Sequence, residues 1–191
     1  MNFIIYKWIA PLSAIIIYVA RIMELRTRRQ VIAGTIRENV TLRLFIGLGT
    51  LMLTGSIVEY FLLRKTVSWP CFGLGWAVAL YSFYLRRRAI AALGRFWSLH
   101  VEIRETHQLV REGPFRWVRH PAYSSMILEL LSIALFLRSW WTALIVYAAF
   151  LPTLMARIRI EEKALIEKFG ESYIEFKRTT PALIPRLARP S

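Results

Sequence analysis

The chain's three histidines, His100, His107 and His120, all fall within one 21-residue window. A second polar group, Arg157, Glu161 and Glu162, stands later in the chain. Imidazole binds or releases a proton near neutral pH, a carboxylate accepts several hydrogen bonds, and a guanidinium grips an anion in a planar fork. Together such groups could bind a polar ligand or move a proton. The histidine spacings of 7 and 13 residues match no standard zinc pattern, and one cysteine, Cys71, cannot form a paired-cysteine site, so no metal is expected. Glu129 lies inside an apolar run. A carboxylate is costly there, which points it at the bundle interior or a cavity and marks it as functional. Glu59, near Arg64 and Lys65, reads as a structural pair.

The elements that must position these groups follow from hydropathy. The chain has 191 residues, of which 56% are hydrophobic, too apolar for an ordinary soluble domain of this length. Apolar runs fall at about 3–20, 44–63, 66–85, 122–137 and 140–156, near the ~17–25 residues that cross a bilayer core. Five membrane-spanning helices are therefore expected. The segments 21–43, 86–119 and 157–191 carry 22 of the 26 Lys and Arg residues. Because basic residues collect on the cytoplasmic side, this predicts the N-terminus outside and the C-terminus inside. The net charge of +14 would attract anionic headgroups, and its place beside the spans argues against nucleic acid. The N-terminus lacks a basic n-region and a small-residue cleavage site, and reads as a retained span.

A short turn around Arg138 and Ser139 joins the last two spans. Such a hairpin returns the chain to its starting side, so residues 97–123 and 157–178 should be neighbours. Beyond the last span the apolar stripe Ile160, Leu165, Ile166, Phe169 predicts a continuing helix. Gly170 should cap it, and a short helix from Glu171 to Lys177 should end before Pro181. Residues 1–191 read as one membrane domain. Taken alone, Arg119-His120-Pro121 could be a snorkelling arginine and a helix-starting proline, and Glu161 and Glu162 a solvated helix face. The interfacial histidine beside a second histidine cluster favours a site.

Together "HQLVREGPFRWVRHPAY", Arg157–Glu161–Glu162, "EKFGESYIEFKRTTPALIP" and the intervening hairpin resemble the isoprenylcysteine carboxyl methyltransferase family of integral-membrane enzymes. The resemblance covers roughly residues 94–187 and implies an all-α membrane protein with a cytoplasmic C-terminal helical region that holds S-adenosylmethionine. It implies that cofactor-binding elements lie at 94–123 and 157–187, with contacts from His100, His107, Gln108, Leu109, Val110, Phe115, His120, Pro121, Ala122, Tyr123 and Glu161. Arg157 takes the position used at the lipophilic acceptor. The chain departs at His100, where eukaryotic members tend to have glutamine, and at Phe115, where the "GPY" pattern has tyrosine. Phe115 lacks a hydroxyl but can keep the ring packing.

The acceptor implied is a carboxylate such as a prenylated cysteine, already ionised at neutral pH and needing no base. Methylation of a long-chain phenol would need one, with His120, His100 or Glu129 as candidates, and N-methylation of a phospholipid would want a negative environment. Glu129 stands beside Arg157 as a candidate catalytic residue. Two other classes compete: a sterol-type membrane reductase, whose chains are longer, and a non-catalytic adaptor on anionic lipid, which leaves the histidine cluster unexplained. Oligomeric state has no signature in the sequence.

Overall fold

The computed structural model describes residues 2–26, 35–36, 40–94, 102–103 and 109–186. Its helices are α1 (Asn2–Arg26), α2 (Val40–Leu62), α3 (Trp69–Leu93), α4 (Pro121–Leu137), α5 (Trp140–Phe169) and α6 (Glu171–Thr179), with a 3-10 turn at Gly113–Arg116. Each of the five apolar runs has become a helix. α3 starts three residues later than hydropathy alone suggests, at Trp69. Pro70 falls in its first turn, where a missing N–H costs nothing. α5 runs on to Phe169 as the apolar stripe predicted, and Gly170 ends it at φ 55°, its N–H bonded to the Ile166 carbonyl at 2.8 Å. Positive φ is cheap for glycine, which has no Cβ.

α4 sits at the centre of the bundle, packed by α1, α2, α3 and α5. Leu130, Ile133, Phe136 and Leu137 on α4 share one core with Met52 on α2 and Val146, Phe150, Leu154 and Ile158 on α5. α3 approaches α4 closely at Gly75, where a Cβ would stand 2.8 Å from the Phe136 ring. Leu51, Val58, Leu74, Leu80, Leu144 and Ile145 point outward and are exposed, the surface a bundle offers to lipid rather than to water. α1, α2 and α5 hold stretches long and apolar enough to cross a membrane. α4 is apolar but shorter, and α3 is diluted by Gly, Ser, Tyr and Trp. The helices make an integral membrane protein.

One end of the bundle is stapled by Glu59. Its Oε1 takes Lys65 Nζ at 2.7 Å, and its Oε2 takes the Thr142 backbone N–H and hydroxyl, both at 2.8 Å. Lys65 also donates to the Arg138 carbonyl at 2.6 Å, across the α4–α5 turn, where Arg138 adopts a left-handed conformation. This is the structural pairing expected of Glu59. At the other end the described residues that follow α1, α3 and α5 gather. A two-residue antiparallel ladder, β1 (Thr35–Ile36) with β2 (Glu102–Ile103), pairs Thr35 with Ile103 and Ile36 with Glu102. Among the described residues it is a small addition to an otherwise α-helical fold. The 3-10 turn packs on α3 and α6 on α5, so the described parts of the basic segments share one end.

Candidate functional site

The hairpin of α4 and α5 brings the start of α4 against the end of α5, as the turn length required. Across this junction lies the stretch after α6. The Arg119 and His120 backbone N–H groups donate to the Pro181 and Ala182 carbonyls, both at 2.9 Å, and the Ser124 hydroxyl donates to the Leu183 carbonyl at 2.7 Å. Residues 180–183 are thereby laid over His120 like a roof.

Glu162 fastens that roof. Its Oε1 accepts Arg119 Nε at 2.9 Å and Nη2 at 2.6 Å, and its Oε2 meets Lys177 Nζ at 2.9 Å. Arg119 also donates to the carbonyls of Lys177 and Thr180. One carboxylate on α5 thus ties the start of α4 to α6. Burial alone would raise the Glu162 carboxyl, but hydrogen bonds from His120, Lys177 and Arg119 more than offset it and hold it at about 2. Because α5 is ~45 Å long at ~1.5 Å per residue, this charged end extends past a ~30 Å hydrocarbon core.

Beneath the roof His120 stands just before α4, 5% exposed. Its Nε2 is 3.2 Å from Glu162 Oε1 and its Nδ1 is 3.8 Å from Glu161 Oε2, so the ring is flanked by two carboxylates. The ring stacks on Tyr123 with centroids 5.5 Å apart. Tyr123 is the pivot of the site. Its hydroxyl donates to Glu161 Oε2 at 2.7 Å and accepts from Arg157 Nε at 2.8 Å. Arg157, 3% exposed, also donates to the Thr41 hydroxyl at 2.7 Å and lies over the Phe45 and Tyr123 rings. Glu161 keeps 33% of its side chain open. A polar relay therefore runs from a partly open carboxylate, through a phenol, to a buried guanidinium facing α2.

Pro121 opens α4 and is buried, while Ala122 is partly exposed beside it. Phe115, in the 3-10 turn, is buried with Ala89, Tyr173 and Phe176, and Leu109 and Val110 pack on the same group. His100, His107 and Gln108 lie outside the described residues.

Glu129 belongs to a different cluster. It sits 3.6 Å from Arg21 on α1, which also meets Glu24 at 3.3 Å; Glu24 in turn meets Arg86 on α3 at 3.3 Å. Arg86 donates to the Ser125 hydroxyl at 3.1 Å. Two arginines and two glutamates thus close a buried network among α1, α3 and α4, as expected of an acid in lipid that points at the bundle interior. Sequence reasoning did not foresee Glu24 and Arg86 as its members, nor Thr41 beside Arg157. Arg86 heads the run Arg86-Arg87-Arg88 just past the third apolar run, so nothing in its position marked it off from its two basic neighbours.

The model of the isoprenylcysteine carboxyl methyltransferase (ICMT) family matches residues 75–167. The "Uncharacterized protein YpbQ" of Bacillus subtilis (strain 168) is 34% identical over 118 residues, 61% of this chain and 69% of that protein. Protein-S-isoprenylcysteine O-methyltransferase B of Arabidopsis thaliana is 29% identical over 139 residues, 68% of this chain and 70% of that protein. Among solved structures, the eukaryotic intramembrane Ras methyltransferase ICMT superposes with a TM-score of 0.62 at 27% identity, covering 71% of this chain. This chain spans 51% of that protein's length.

Proposed function

Because this chain belongs to the isoprenylcysteine carboxyl methyltransferase family, whose named members include O-methyltransferases, we propose that it methylates a lipophilic acceptor using S-adenosylmethionine. The observation that carries this reading is the relay Glu161–Tyr123–Arg157, which places a partly open acid and a buried guanidinium on either side of one phenol. A water-soluble cofactor and a lipid-soluble acceptor need such a place, polar at one end and buried at the other.

The residues suit that cofactor. It carries an ammonium and a carboxylate, and its sulfonium supplies the methyl group when bound. Glu161, one oxygen bonded to Tyr123 and a third of its side chain open, can accept hydrogen bonds from the cofactor. His120, held between Glu161 and Glu162, orients that acid. Phe115, Leu109 and Val110 give the neighbouring apolar wall. Arg157 would hold an acceptor carboxylate, and its hydroxyl partners Tyr123 and Thr41 fix its orientation without competing as anions. Such an acceptor needs no base, so the protein contributes alignment and the exclusion of water. Glu129, held by Arg21, supports the bundle wall and would join catalysis only for an acceptor that must lose a proton.

In this reading all five long helices cross the membrane, with the site on the cytoplasmic side where 22 of 26 basic residues gather. The test is transfer of labelled methyl from S-adenosylmethionine to acetylated farnesylcysteine in liposomes. Label in the base-labile ester, lost in Arg157→Ala, supports a carboxylate acceptor. Label only in an added long-chain phenol or in phospholipid would replace it.

A further inference from the structure

Two buried hydroxyls among the described residues make no hydrogen bond, those of Tyr60 and Tyr173. A hydroxyl taken from water and left unpaired costs ~1–3 kcal/mol, so each needs a reason. Tyr60 lies on α2 at the stapled end, beside Glu59 and far along the helix from Thr41. Tyr173 lies on α6, near Glu161, Glu162 and Arg119 of the candidate site.

The Tyr173 ring is 2% exposed and packs with Ala89, Phe115 and Phe176, with Leu109 and Val110 against the same group. These neighbours bring no polar side-chain atom to its hydroxyl. The charged groups around that oxygen are Glu162, Glu161 and Arg119, and Arg119 is close enough to favour a hydrogen bond to it, yet no N–H of Arg119 meets the hydroxyl in hydrogen-bonding geometry. Arg119 directs its N–H groups to Glu162 and to the Lys177 and Thr180 carbonyls. Burial pushes the phenol up, the two carboxylates push it further, and Arg119 offsets only part of this, so it stays a neutral O–H that can both donate and accept. It stands where an apolar aromatic wall meets the acids of the relay.

We propose that Tyr173 is a ligand-binding residue of this pocket, its hydroxyl completing its hydrogen bonding on a polar atom of the bound S-adenosyl cofactor. The inference rests on the cofactor reading given above. It assigns the site a contact from α6, the helix that leads into the roof.

The experiment is calorimetric titration of S-adenosylhomocysteine into detergent-purified wild type, Tyr173→Phe and Tyr60→Phe, with the melting temperature of each free protein. Removing an unpaired hydroxyl should leave the free protein as stable as wild type, or more stable, in both variants. Tyr173→Phe should weaken binding about tenfold, or ~1.4 kcal/mol, while Tyr60→Phe keeps wild-type affinity. Unchanged binding by Tyr173→Phe, with wild type binding, overturns this inference alone. A lower melting temperature for Tyr173→Phe also overturns it, since the hydroxyl would then have a partner within the protein. Wild type that does not bind removes the cofactor reading, and this inference with it.

Discussion

Replacing Glu162 by glutamine keeps its shape but removes the charge that Arg119, His120 and Lys177 share. The carboxyl is held at about 2 in place of 4.5, a difference worth about 3 kcal/mol at ~1.36 kcal/mol per pH unit. Lys177 is half exposed, and water screens that side of the pair, so the expected loss at neutral pH is about 2 kcal/mol. For a chain of this size that lowers the melting temperature by about 4–8 °C. The sign of the pH dependence follows from the direction of the shift. A carboxyl depressed in the folded state stabilises fully above its unfolded value of 4.5 and loses that contribution as pH falls toward about 2. Other carboxylates titrate in the same range, so the quantity to follow is the gap between wild type and Glu162→Gln in detergent. It should be constant from pH 8 to about 5 and shrink steadily below that. A gap that ignores pH, or a glutamine variant as stable as wild type at pH 7, would refute the reasoning.

Three further outcomes are expected. Tyr123→Phe cuts the bonds to Glu161 and Arg157; kcat/KM should fall about 10–100-fold, ~1.4–2.7 kcal/mol of transition-state stabilisation, measured by methyl transfer with folding checked by melting. Gly75→Ala drives a Cβ to 2.8 Å from the Phe136 ring, and overpacking of this kind should cost about 1–3 kcal/mol, read as a lower melting temperature. Glu59→Ala leaves Lys65 and Thr142 without their carboxylate at the α4–α5 turn; stability should drop while affinity for S-adenosylhomocysteine stays at the wild-type value, because the staple lies at the end opposite the site.

The helical hairpin was legible because its two apolar runs, the Arg138–Ser139 turn and the charges beyond them leave one way to return the chain. That alone predicted that residues 97–123 and 157–178 would be neighbours, and among the described residues His120 and Tyr123 lie against Glu161, and Tyr123 against Arg157. Thr41 was not legible. It is separated from Arg157 by 116 residues, and hydropathy gives the length of α2 but not its rotation or its neighbour. The same limit hid Glu24 and Arg86 as companions of Glu129, since ion pairs among three helices depend on depth and azimuth together. Tyr173 was invisible for a different reason. An aromatic residue at helical spacing in "ESYIEF" reads as packing, which its ring does, and only the three-dimensional environment of its hydroxyl reveals an unmet hydrogen bond.

Titration of the purified protein with S-adenosylhomocysteine, run beside NADPH, bears most directly on the central claim. Micromolar binding of S-adenosylhomocysteine alone, abolished by Glu161→Ala in protein that still melts cooperatively, is the predicted result. Binding of NADPH alone, or of neither by folded protein, would contradict it.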